Sequence, residues 1–216
     1  MTTWYEKLSA ALETKAFRLT FFTILAVLVG GLVELPPFFL MGKVQKTANL
    51  KPYNALELAG RDVYQQEGCF YCHTQLVRPF KWETDRFDPG RKYGPEPYSK
   101  AGEFVYEHPF LWGSKRIGPD LARLAGRSLS AEWHKEHLIN PRSSEPNSIM
   151  PAYPWLFKTP LSAARVQSSM KALKLLGVPY SAADIQNAPA LVRGKTEGDA
   201  LVAYLLALGR DAIVNK

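Results

Sequence analysis

Residues Leu19 to Val33 read LTFFTILAVLVGGLV, fifteen positions without a charge, and the apolar character resumes after Glu34 as LPPFFLM. As a helix, the 23 residues from Leu19 to Met41 rise roughly 35 Å at ~1.5 Å per residue, enough to cross a hydrocarbon core ~30 Å thick. A cleaved leader would need an A-x-A-like site after the run, and none follows. The leading eighteen residues also mix two acids with three bases, unlike a leader's basic start. A buried core helix would be an odd place for Gly30-Gly31 and Pro36-Pro37. The expectation is an uncleaved single-pass anchor at 19–41, behind a short segment 1–18 and ahead of a domain at 42–216. Glu34 then falls toward the far end of the span, within reach of head groups, water or a partner subunit. Charge does not set the sidedness. Lys7, Lys15 and Arg18 before the span are balanced by Lys43, Lys46 and Lys51 after it.

The remainder of the chain can build a core, since 46% of the 216 residues are apolar and 12% aromatic. Its +7 formal charge is interleaved with acids, and no run of five like charges occurs, so a nucleic-acid arm is not expected. The prolines gather in residues 79–119 and 141–160, which should be ordered loops.

The chain's only two cysteines stand in EGCFYCHT, as Cys69 and Cys72 with His73 directly after. A structural zinc site would need two further ligands; His134 and His137 in AEWHKEHLI could supply them. A thioredoxin-like pair would want a βαβ context, and a disulfide this short would stabilise little. Cys-x-x-Cys-His for covalent haem explains the histidine as well. Two thiols add to the haem vinyl groups and the next imidazole becomes the proximal iron ligand. One haem c is therefore expected on Cys69, Cys72 and His73.

Candidates for the sixth ligand are Met41, Met150, Met170, His108, His134 and His137. Met41 belongs to the membrane edge, and Met170 lies in an amphipathic pattern that suits packing. His134 and His137 sit on a helix that Ser130 should cap, and their neighbours Lys135 and Glu136 suggest a solvated face. His108 precedes Pro109 in a loop. Met150, in PNSIMPAYPW, stands in a proline-stiffened loop and is the expected ligand. LELAGRDVYQQ (56–66) should form a helix running into the haem motif, and DALVAYLLAL (199–208) a closing apolar helix. Gly60 would let the two approach closely, beside an aromatic such as Tyr204.

The opening helix, CxxCH, the GPDL stretch at Gly118 to Leu121, the methionine loop and the closing helix resemble class I cytochromes c. That resemblance implies that the carbonyl of Pro119 accepts from the second nitrogen of His73, fixing the ring. It also implies a mainly α fold, with a class I cytochrome c-like haem domain behind a single N-terminal transmembrane helix. The chain departs from small soluble cytochromes c in the 45 residues between His73 and Pro119. With the anchor, GCFYCHTQLVRPF, LWGSKRIGPDLAR, WHKEHLINPR and SIMPAYPWL closely resemble the monohaem membrane-anchored subunit of cbb3-type cytochrome c oxidases.

The resemblance implies a non-catalytic electron relay in an oxygen-reducing, proton-translocating complex. Electrons would come from a dihaem subunit or a soluble cytochrome c and leave for the haem b of the catalytic haem-copper subunit. It implies a bacterial inner membrane, a cytoplasmic amino terminus and a periplasmic haem domain. The insertion at about 74–117 is then expected to be loop-rich docking surface, with Arg78, Phe80, Trp82, Arg86, Phe87, Arg91, Tyr93 and Trp112 as interface types. Residues 171–198 are expected to form a variable helix–loop insert. A stand-alone anchored cytochrome c shuttle, a nitric oxide reductase small subunit and a peroxidase-like haem enzyme are the competing readings.

Overall fold

The computed structural model describes residues 3–40, 44–88, 97–113 and 115–213, so Met41, Arg91 and Tyr93 lie outside the described residues. The protein is mainly helical, and among the described residues its one β contact is an isolated bridge between Pro160 and Thr196. It divides into two units, residues 1–45 and 46–216.

The first unit holds two helices. α1 spans Trp4–Glu13 and is closed by a capping box: the Thr3 side chain accepts from the Glu6 amide at 3.4 Å. Glu6 in turn accepts from the Thr3 amide at 2.8 Å. α2 spans Ala16–Leu40 and runs through both Gly30-Gly31 and Pro36-Pro37. Residues Ala16–Pro36 are long and apolar enough to cross a membrane, and no residue of that stretch's apolar window is buried within the protein. A fully exposed helix of this composition is not a core helix.

The second unit is organised by two crossing helices. α3, Ala55–Gln66, starts at Asn54, whose side chain accepts from the amides of Leu56 and Glu57, both at 3.0 Å. α9, Glu197–Ala207, starts at Thr196 in a capping box with Asp199. At the crossing, Gly60 packs against the Ala200 carbonyl, and a Cβ at position 60 would stand 2.8 Å from the Tyr204 Cβ. The close approach expected of Gly60 is there, and it brings Tyr64 and Tyr204 into edge contact at 5.5 Å.

Two apolar clusters flank this crossing. One joins Tyr64, Leu111, Leu121, Leu138, Leu156, Leu201 and Leu205. It draws on α5 (Ala131–Ile139) and on 3-10 turns at Leu124–Arg127 and Pro154–Phe157, with the short α6 (Pro141–Ser144) following α5. The other joins Leu58 and Ala59 of α3 to α7 (Ala163–Leu175) and α8 (Ala182–Val192) through Val166, Met170, Ile185 and Val192. Residues 171–198 therefore belong to a helical layer that covers the second face of α3. Polar ties reinforce it: Ser169 donates to Asp62 at 2.8 Å, and Gln167 to the Ile185 carbonyl at 2.9 Å.

Residues 74–117 leave and return through a closed neck. The Gly118 amide donates to the Cys72 carbonyl and the Leu121 amide to the Thr74 carbonyl, both at 3.0 Å. The Gly113 amide reaches the Thr74 hydroxyl at 3.1 Å. The insertion carries α4, Lys81–Phe87, and a buried interior as well as a surface. Glu83, 1% exposed, accepts from the Arg78 amide at 2.8 Å and pairs with the Arg78 and Arg116 guanidinium groups. Arg61 of α3 pairs with Glu107 at 2.7 Å, and Arg123 with Glu103 at 3.0 Å.

The chain closes with α10, Arg210–Ile213. Arg210 pairs with Glu57, and the Lys51 amide donates to Asp211 at 3.1 Å, tying the domain's end to its beginning.

Candidate functional site

α3 stops at Gln66 because Gly68, at φ 70°, turns the chain into a 3-10 turn at Cys69–Tyr71. The Cys69 carbonyl accepts from the amides of Cys72 (3.1 Å) and His73 (2.9 Å). One turn of backbone therefore carries both thiols and the imidazole, and it is held to α3 by the Tyr64 hydroxyl, which donates to the His73 carbonyl at 3.0 Å. Burial, helped by the charge of Glu67, pushes the Cys69 thiol up to about 12. At neutral pH it is a thiol, not a thiolate.

The His73 ring lies flat on Gly118, with Nδ1 2.6 Å and Nε2 2.7 Å from the place a Cβ would occupy. Its Nδ1 stands 2.9 Å from the carbonyl of Pro119. A carbonyl only accepts, so Nδ1 carries the proton and Nε2 keeps its lone pair. Burial holds the imidazole below its ordinary pKa, against the Pro119 bond, and Arg127 pushes the same way as burial. His73 is thus a neutral ring, fixed in tautomer and orientation, with Nε2 available as a donor atom.

Met150 is half-buried and packs on the same apolar cluster as Cys69 and Phe70. Its loop is stiffened locally. The Met150 amide donates to the Ser148 hydroxyl at 3.2 Å, and the Tyr153 amide to the Leu138 carbonyl at 2.7 Å. Met170 and His108 lie elsewhere, whereas His137 is near enough to His73 for that ring to help lower its pKa, behind burial. Met170 is 1% exposed inside the second cluster. His108 sits near the Arg61–Glu107 pair, and burial together with Arg61 lowers its pKa.

His134 corrects an expectation: it is 4% exposed, not solvated. Burial, with a smaller push from His137, takes it down to about 4. His137 stacks on Trp133 at 4.8 Å and bonds the Ser144 hydroxyl through Nδ1 at 2.6 Å. Among the described residues no group of three or more His, Cys, Asp or Glu side chains is placed to hold a metal ion. Cys69, Cys72, His134 and His137 are therefore not assembled as a four-ligand zinc set.

Two thiols and a neutral imidazole on one turn, with a thioether on the adjoining cluster, fit a covalently attached haem. Residues 9–197 match the family described as cytochrome c oxidase, mono-heme subunit/FixO. The chain belongs to that family. No curated protein matches it. As a mono-heme subunit of a cytochrome c oxidase, it has one haem to hold, and EGCFYCHT carries its only two cysteines.

Three further groups hold this turn. Gly118 is the seat of the ring, Tyr64 is its tether to α3, and Arg127 contributes charge beside it while donating to the Asp120 carbonyl at 2.7 Å. Gly118 had a visible signal, a glycine directly before the proline that meets His73. The tyrosine and the arginine have no local signature, because their partners lie 9 and 7 residues away.

Proposed function

We propose that this chain is the single-haem electron relay of a cbb3-type oxidase, anchored in a bacterial inner membrane by α2. Electrons reach it from a dihaem subunit or a soluble cytochrome c and pass on to the haem b of the catalytic haem-copper subunit. In this reading Cys69 and Cys72 hold one haem c by thioether links. His73 Nε2 and the Met150 sulfur would ligate its iron. The amino terminus is cytoplasmic and the haem domain periplasmic, where covalent attachment takes place. Bound there, the haem supplies one-electron exchange between ferric and ferrous iron.

The observation that carries this reading is the His73 Nδ1 to Pro119 bond at 2.9 Å, made by a ring seated on Gly118. It leaves one nitrogen free to ligate and makes the ring more basic toward iron. The half-buried setting of Cys69 and Met150 and the closed neck of the insertion support a ligand sphere that moves little between oxidation states. Phe80 and Trp82 of the insertion are 51% and 60% exposed and stack with each other at 6.0 Å, the Arg78 guanidinium standing 5.7 and 5.4 Å from their ring centres. Aromatic and arginine groups of this kind suit a docking face for another subunit.

The test is the optical spectrum and subunit composition of the complex purified in mild detergent, with a haem stain of the denatured subunits. A stained band for this chain, co-purifying with a copper-containing subunit, is expected. Met150→Leu should keep the stain and lose the long-wavelength band of thioether-ligated ferric haem. An unchanged band in that variant places the sixth ligand elsewhere, and a solitary stained chain without an oxidase partner supports a free shuttle.

A further inference from the structure

α1 is set apart from the rest of the chain by its pattern. At 100° per residue, Trp4, Tyr5, Leu8, Ala11 and Leu12 fall within an arc of roughly 120°, while Glu6, Ser9 and Glu13 lie opposite. Trp4, Tyr5 and Leu8 are 77%, 66% and 49% exposed, and Leu12 is half-buried, so the described residues of its own unit leave most of this face uncovered. Both acids are turned back onto the helix: Glu6 closes the capping box, and Glu13 accepts from Ser9 at 2.8 Å. α1 ends at Glu13 and α2 begins at Ala16. Two linking residues reach at most ~7 Å, so the Glu13 end of α1 stays close to the surface of whatever bilayer α2 enters. Lys15 and Arg18 stand at that junction, and Arg18 also donates to the Ala11 carbonyl of α1 at 3.5 Å.

We propose that α1 is an interfacial helix. It lies in the plane of the membrane with Trp4, Tyr5 and Leu8 sunk into the boundary between lipid head groups and acyl chains. The occupant of its apolar face is lipid. The aromatic rings suit that depth because one part of each is apolar and another can hydrogen-bond to water. Exposed apolar surface on a short capped helix beside a span is the pattern of a membrane-surface element. Its role is to fix how far α2 can slide. With Ala16 held at one boundary, Glu34 lies ~27 Å along the helix, at the other. The proposal rests on α2 being a transmembrane anchor, and the experiment separates the two.

The haem-loaded full chain is reconstituted in vesicles of phosphatidylethanolamine and phosphatidylglycerol, with single cysteines introduced for nitroxide labelling. Tyr5→Cys and Leu8→Cys report the apolar face, Ala10→Cys and Glu13→Cys the polar face, and Leu25→Cys the span. The relative accessibility to oxygen and to a water-soluble nickel chelate is read at each site. The expected result is an oxygen-to-nickel ratio several-fold higher at 5 and 8 than at 10 and 13, with 25 higher still. If 25 is deep but both faces of α1 meet nickel equally, α1 is a solvated arm and the proposal is overturned. If 5 and 8 are shielded from both probes, protein covers them, which overturns it as well. A label at 25 that meets nickel freely removes the anchor reading itself and α1's place with it.

Discussion

Beside the imidazole of His73 there is room for a hydrogen atom and nothing larger. Gly118→Ala would put a methyl group into the ring, and neither the ring nor the backbone can yield while Nδ1 holds the Pro119 carbonyl. Overpacking of this kind costs ~1–3 kcal/mol. A denaturant midpoint lowered accordingly, together with a smaller haem-stained fraction of the chain, is expected; wild-type values for both would show that the ring has somewhere else to go. His134 makes a separate prediction in pH. Its folded-state pKa lies near 4 and its ordinary value is 6.5, so between those limits the unfolded chain binds a proton that the folded chain does not. Stability from this residue is present above pH 6.5 and is lost as pH falls toward 4. His134→Gln should flatten the fall of Tm across that window, and an unchanged slope would assign the acid sensitivity to other groups. The sequence suggested a solvated His134 because Lys135 and Glu136 follow it, but on a helix those neighbours point elsewhere. Leu138, four residues on, shares its face, and Leu138 is buried. The turn of Cys69, Cys72 and His73 was legible for the opposite reason: short spacing puts the three together whichever way a helix faces, while the contact of His73 with Pro119, 46 residues on, was expected only from the likeness to class I cytochromes c.

Helices announced by their caps and by strong apolar spacing were the readable elements. α3 and α9 lie within two residues of their expected limits, and Ser130 caps α5 by accepting from Trp133 at 3.1 Å. Their crossing gives a sharp test, because a Cβ at position 60 would meet the backbone of Ala200 rather than a movable side chain. Gly60→Ala should destabilise the haem domain by ~3 kcal/mol or more, read as a lowered urea midpoint, since one helix must be displaced from the other. A loss under ~1 kcal/mol would mean that the helices can slide apart without disturbing the core. Glu83 was not readable at all. Its partners Arg78 and Arg116 stand 5 and 33 residues away, joined only once the insertion folds back on itself. Removing that carboxylate leaves Arg116, whose side chain is 13% exposed, with only the longer 3.5 Å contact to Asp120. Glu83→Gln should therefore cost on the order of 3 kcal/mol, while the water-facing Arg78→Gln costs much less; equal losses would argue against a buried pair. Residues 171–198 had a helix–loop character in the sequence because α7 and α8 are separated by Gly177 and a short turn. Only the packing of Met170, Ile185 and Val192 on α3 shows that they are a layer of the domain.

Across the whole chain, both apolar clusters, the turn bearing Cys69, Cys72 and His73, the Pro119 carbonyl and Met150 all fall within residues 46–216. Among the described residues, none of the unit at 1–45 belongs to either cluster. The described contacts that hold the turn of Cys69, Cys72 and His73 come from residues 46–216, and that unit's beginning is tied to its own end through Glu57–Arg210 and Lys51–Asp211. Residues 46–216, exported behind a cleavable leader, should therefore fold as a soluble, haem-stained protein. Its reduced spectrum should match that of the full chain, and its Tm should lie within ~2 °C, the shift that ~0.5 kcal/mol produces at this size. The same protein should fail to co-purify with the oxidase if α1 and α2 supply the hold within the bilayer. Recovery of the truncated domain with the complex would assign assembly to the surface around Phe80 and Trp82 instead. A truncated domain that cannot take haem would show that the membrane segment shapes the site.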